Sequence, residues 1–160
     1  MADKPVLTKK FNKDFDVEKA LREGGVQAKI YLGVQGSDVN TAKKALENTV
    51  YERLKAEEHA VLLEVKMYDV LKEQGAKLFS GVAEVDLVAD DFRWFLNLIL
   101  RYGPSAVEII EPGEVTLGSD QMHCLVADAS DFAHVYSQQI MAMLKDPERR
   151  RIYEEILGGQ

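Results

Sequence analysis

The chain has 160 residues, 46% of them hydrophobic and 29% charged, with a formal net charge of −7. That length suits one domain with extensions and can bury a core without staples, and the balance of apolar and charged residues excludes wholesale disorder. The acidic balance argues against a phosphate-binding surface, which normally needs clustered cations; the short runs Lys9-Lys10 and Arg149-Arg150-Arg151 sit among acids. Cys124 is the sole cysteine, so no internal disulfide can form and a reducing compartment is expected. No apolar run approaches a membrane span, and the opening MADKPVLTKK lacks the apolar core of a signal peptide. The expected location is the cytoplasm.

Residues 1–12 are polar and unpatterned and read as a tail. Residues 14–23 form a short helix candidate ended by Gly24-Gly25. A strand follows over 26–34, where Val26, Ala28, Ile30, Leu32 and Val34 alternate with Gln27, Lys29, Tyr31 and Gly33. Ser37 or Asn40 is positioned to cap the next helix, which places Val39, Ala42, Leu46, Val50 and Leu54 on one stripe and runs to Glu57.

The second strand, 59–70, sets Val61, Leu63, Val65 and Met67 on one face and Leu62, Glu64, Lys66 and Tyr68 on the other. A turn at Gly75 leads to a third strand over 78–88. Its inner face is Phe79, Gly81, Ala83, Val85 and Leu87, against Ser80, Val82, Glu84, Asp86 and Val88 outside. Asp90 or Asp91 caps a short apolar helix with Phe92, Phe95, Leu96, Ile99 and Leu100 as its stripe. Gly103 and Pro104 stop it. The fourth strand is 106–110, closed by a turn at Pro112-Gly113.

Beyond that a long helix is expected over 120–144, with Met122, Leu125, Val126, Ala129, Ala133, Tyr136, Ile140 and Met143 in line. A final helix opens at Pro147, carries Ile152, Ile156 and Leu157, and ends at Gly158-Gly159. The predicted class is α+β. A ferredoxin-like βαββαβ antiparallel sheet spans 26–111, a tail and short helix occupy 1–25, and a two-helix extension fills 112–160. Two helices cover one sheet face, leaving the other open. The long amphipathic helix must bury its stripe, either on that open face or against a second chain, and a homodimer or higher homo-oligomer is the favoured expectation.

One segment carries a resemblance. Residues 86–115, with Trp94, Gly103, Pro104, Glu111 and Pro112, resemble the C-terminal extension of WYL-domain transcriptional regulators. In that extension a strand feeds an apolar helix, then a Gly-Pro turn, then a strand ending in Glu-Pro. The resemblance implies a ferredoxin-like fold and a part in assembly. The chain has no WYL tripeptide and no helix-turn-helix, so DNA binding does not come with it.

Candidate chemistry is sparse. Tyr31, Glu64, Tyr68 and Glu84 share the expected open face and, with Trp94 and Tyr136, are the candidate ligand or interface residues. His123, Cys124, Asp128 and His134 on the long helix are the weak metal candidates, against the alternative that they form its solvated face. No HExxH, CxxC, GxSxG, P-loop or GxGxxG pattern occurs, so no catalytic residue, metal or cofactor is assigned. The expected function is a non-catalytic ferredoxin-like module for self-association, regulation or small-ligand binding. The alternatives are an enzyme with a site between the sheet face and the C-terminal helices around Tyr31, Glu64, Tyr68, Glu84 and His134, and an RNA-binding sheet using Tyr31 and Tyr68.

Overall fold

Alternation of apolar side chains is strongest where the chain pairs most. In the computed structural model, which describes residues 4–158, the strands are β1 (Leu7–Lys10), β2 (Val26–Gly36), β3 (Ala60–Met67), β4 (Phe79–Ala89) and β5 (Ala106–Glu111). They form one antiparallel sheet in the order β1-β3-β4-β2-β5. The helices are α1 (Val17–Arg22), α2 (Val39–Glu47), α3 (Phe92–Tyr102), α4 (Ser119–Met143) and α5 (Pro147–Gly158). The protein is therefore α+β. Residues 1–3, within the expected tail, and Gly159, half of the terminal glycine pair, lie outside the described residues.

The longest ladder joins β2 to β4 in register from Val26↔Ala89 to Gly36↔Phe79. Ala28, Ile30 and Leu32 on β2 and Ala83, Val85 and Leu87 on β4 point to one face and are buried. Leu46, Val50, Leu54 and Leu98 pack on that same face with Leu62, Val65 and Met67. A second cluster joins Val26, Ala28 and Ala89 to Phe95 of α3. The core thus lies between one sheet face and the pair α2 and α3.

Helix α2 begins at Asp38, whose carboxylate accepts from the Thr41 amide at 2.9 Å; this replaces the expected Ser37 or Asn40 cap. It continues through a π-helical segment, Asn48–Arg53, and a 3-10 turn, Leu54–Ala56. The wider turn has a packing reason. Ala42, Leu46, Val50 and Leu54 are all buried and spaced by four. In a regular α-helix that spacing drifts by about 40° per step, turning Leu54 roughly 120° from Ala42. A π turn takes up the drift and returns Leu54 to the core.

Four expectations are corrected. Residues 7–10 are not a tail: they pair with β3, Leu7 opposite Met67 and Lys10 opposite Glu64. All four are exposed, so no burial imposes an alternating pattern on LTKK. In β3 the expected faces are reversed at its start, because a register irregularity between Leu62 and Glu64 turns Leu62 into the core while Val65 and Met67 keep theirs. The first helix is shorter, starting at Val17 behind an Asp16 cap. On α3 the buried residues are Phe95 and Leu98, and Leu98 is not part of the expected stripe.

Other boundaries move little. Asp91 caps α3 through the Trp94 amide at 2.8 Å, and Gly103 ends it at φ +53°. The Glu111-Pro112 peptide is cis. The chain divides into two compact units, one up to Thr116 and one from Leu117. The second consists of α4 and α5, where Arg150 donates to the Met141 carbonyl at 2.9 Å.

Candidate functional site

Period-two alternation that buries Ala28, Ile30 and Leu32 turns Lys29 and Tyr31 the other way, and the same rule applied to β4 turns Glu84 and Asp86 beside them. Tyr31 stands opposite Glu84, and Lys29 opposite Asp86. On the other side of β4, Lys66 stands opposite Glu84 and Glu64 opposite Asp86. Tyr68 follows β3 directly, and its amide donates to the Val82 carbonyl at 3.1 Å. The four residues Tyr31, Glu64, Tyr68 and Glu84 singled out from the sequence therefore share one face.

Glu84 is the centre of this face, with only 11% of its side chain exposed. Its Oε1 accepts from Lys66 Nζ at 3.0 Å and lies 3.8 Å from Lys29 Nζ, while its Oε2 accepts from the Tyr68 hydroxyl at 3.1 Å. Burial by itself would raise the Glu84 carboxyl; the hydrogen bonds from Lys66 and Tyr68 and the charges of Lys66 and Lys29 outweigh it and hold the group below the usual carboxylate range. Hydrogen bonds to Glu84 and Glu64 raise Lys66, and burial followed by the Glu84 contact raises Tyr68. Glu64 also reaches Lys66 at 3.3 Å and Lys10 at 4.0 Å, and Gln27 donates to Asp86 at 3.0 Å. A carboxylate held ionised by two ammonium groups and a phenol is a poor proton shuttle at neutral pH. The arrangement balances charge over a sheet face.

A second group joins Trp94, a candidate from the sequence, to His59 and Asp90, whose pairing the sequence does not suggest. Trp94 stacks on the His59 ring at 3.7 Å between centroids and 11° between planes, and His59 Nδ1 lies 2.9 Å from Asp90 Oδ2. His59 and Asp90 stand one residue outside the β3–β4 ladder, which pairs Ala60 with Ala89. Only that register brings them together, so no local pattern could have marked them. Nearby, Glu57 accepts from both ends of the Arg101 guanidinium at 3.0 and 2.8 Å and from the Tyr102 hydroxyl at 2.6 Å. Burial and then the Glu57 contact push the Tyr102 phenol up to about 12. This group ties the end of the α2 segment to the end of α3.

A groove of about 390 Å³ opens beside β1, lined by Leu7, Val39, Lys43, Met67, Asp69 and Val70 among others. In the second unit, Tyr136 lies on α4 with its ring 5.5 Å from that of Phe132. His123, Cys124, Asp128 and His134 are spread along the same helix. Among the described residues, no three His, Cys, Asp or Glu side chains come together to hold a metal. No helix among them is long and apolar enough to cross a membrane.

The fold and this face define an α+β protein whose one sheet layer is apolar beneath its helices and charge-paired on the opposite side. More particularly, the chain belongs to the MJ0538 family, whose model matches residues 27–155, from β2 into α5. A protein of Methanocaldococcus jannaschii named "Uncharacterized protein MJ0538" is 27% identical over 94 residues, which is 59% of this chain. The match spans 35% of that relative, so the chain covers only about a third of its length. No solved structure matches the chain.

Proposed function

We propose that the chain is a non-catalytic, ferredoxin-like module that acts by self-association, with α4 as the contact. The observation carrying this is the apolar stripe of α4: Met122, Val126, Tyr136, Ile140 and Met143 are all exposed, Val126 by 70% and Met143 by 75%. On α5, Ile152, Ile156 and Leu157 are exposed as well. At 1.5 Å per residue α4 is about 37 Å long, enough to present a patch on the scale of a dimer interface, roughly 800 Å² per partner. Apolar patches of that size mark interaction surfaces in water-facing proteins. A second copy is the occupant chosen, because the same stripe on each of two antiparallel helices is self-complementary about a two-fold axis.

The ferredoxin-like reading is supported by the order β5-β2-β4-β3, by helices following β2 and β4, and by α2 and α3 sharing one face, with β1 as an added edge strand. The resemblance of residues 86–115 to the WYL extension, a part that contributes to assembly, points the same way.

The test is light scattering of the full chain at micromolar concentration beside the variant Val126→Glu/Ile140→Glu. The expected result is a dimer for the parent and a folded monomer for the variant, with helical circular dichroism retained. A monomeric parent, as a helix docked within its own chain would give, or a variant that stays dimeric, overturns the proposal.

A further inference from the structure

The two margins of the sheet carry opposite charge. β1 forms one margin and β5 the other. β1 is anchored at both ends, with the Val6 amide on the Met67 carbonyl and the Phe11 amide on the Leu63 carbonyl, each at 2.8 Å. Its register with β3 sets Leu7 and Lys9, opposite buried Met67 and Val65, toward the helix-bearing face, and Thr8 and Lys10 toward the other. β5 is sorted likewise by β2. Val107 and Ile109, opposite Ile30 and Ala28, take the helix-bearing face, while Glu108 and Glu111, opposite Lys29 and Gln27, take the other.

Every residue of both strands is exposed, Val107 by 41% and Ile109 by 48%. Lys10 keeps 67% of its side chain exposed despite Glu64 at 4.0 Å, and the Lys9 ammonium lies 4.7 Å over the Tyr51 ring. Among the described residues, Glu108 and Glu111 have no ion-pair partner, and no backbone hydrogen bond reaches β5 from its outer side.

Charge on an edge strand normally guards against pairing. Edges of like sign guard against everything similar; edges of opposite sign guard against themselves and not against each other. A two-fold β5–β5 pairing keeps faces together and would crowd four glutamates on one side, which is unfavourable. Against β1 the same strand is matched on both faces. Val107 and Ile109 meet Leu7 and the aliphatic stem of Lys9, and Glu108 and Glu111 meet Lys10 and Thr8. The alternating antiparallel order leaves β1 and β5 running the same way, so a neighbour with its helices on the same side joins them as parallel strands.

We propose that β5 of one copy pairs with β1 of a second, extending the sheet from molecule to molecule. Such a contact is heterologous: each copy offers both halves, so it propagates instead of closing at two. It goes beyond the dimerisation assigned to α4, uses different residues and stands or falls separately.

The experiment compares the full chain with Lys9→Glu/Lys10→Glu, which makes both margins acidic, and Glu108→Lys/Glu111→Lys, which makes both basic. Light scattering over a concentration series at low and high salt is expected to show parent species above the dimer that grow with concentration and shrink with salt. Each variant alone should lose every species above the dimer, and an equimolar mixture should regain them, since acidic margins then meet basic ones. The Val126→Glu/Ile140→Glu chain should still grow, in single steps. Circular dichroism checks the fold; if either double variant unfolds, Lys10→Glu and Glu108→Lys replace the pair. A parent that never exceeds a dimer at low salt, variants that assemble like the parent, or a mixture that regains nothing overturns the proposal.

Discussion

The carboxyl of Glu84 accepts from an ammonium and a phenol at once, which couples its ionisation to folding. Its folded pKa is lowered, so the stability it contributes is present above the unfolded glutamate value, about 4.3, and is lost as pH falls through the folded value. Lys66 is raised and works in the opposite window: its contribution is intact below the unfolded lysine value and is lost as pH rises through the folded one. We expect Glu84→Gln to lower stability at neutral pH by about 1–3 kcal/mol, because Lys66 and Tyr68 lose a charged acceptor. Below the ordinary glutamate range the difference should shrink toward zero, as urea unfolding at the two pH values would show. Strand alternation made this face legible, because Tyr31 and Glu84 lie on strands whose other side is uniformly apolar. The His59–Asp90 pair and the Trp94 stack were not legible. They depend on which residues of two distant strands end up opposite one another.

At the level of elements, two glycines separate two kinds of constraint. At Gly36 a Cβ would sit 2.5 Å from the Ala42 amide nitrogen of α2, so the strand end and the helix start meet backbone to backbone. At Gly103 nothing lies within 4 Å, and only the left-handed φ of +53° resists a side chain. Gly36→Ala is therefore expected to cost about 1–3 kcal/mol through overpacking. Gly103→Ala should cost about 1 kcal/mol through backbone strain alone. Thermal unfolding of the two variants should rank them in that order. A Gly103→Asn variant should recover part of its loss, since asparagine tolerates the conformation. The helix stop at Gly103 could be read from Gly-Pro, but the closeness at Gly36 could not, since it belongs to packing between elements. The same limit explains β3. Its apolar run AVLL fits either face, and the bulge between Leu62 and Glu64 chooses the one that buries Leu62.

For the molecule as a whole, the buried residues are concentrated in the first unit. Among the described residues of the second, only Leu125 is buried. In folded proteins most helical stability comes from packing of an amphipathic face and not from propensity. A fragment of residues 1–116 is expected to unfold cooperatively with the core described above, while a fragment of residues 117–160 should show little helix by circular dichroism at low concentration. Strong, concentration-independent helicity in the second fragment would mean that the pair α4 and α5 is stable without a partner. The length and amphipathic stripe of α4 were plain in the sequence. What covers the stripe was not, because a periodic pattern reports that a face is apolar and says nothing of its neighbour.

The strand order also separates charge in space. Lys9 and Lys10 stand at one margin of the sheet and Glu108 and Glu111 at the other, four strand spacings apart, or roughly 19 Å at about 4.8 Å per step. These four charges accordingly contribute a dipole component that lies in the plane of the sheet and is directed across the strands. Although the chain has a net charge of −7, of these four side chains the pair at the β1 margin is the one that a negatively charged surface would attract.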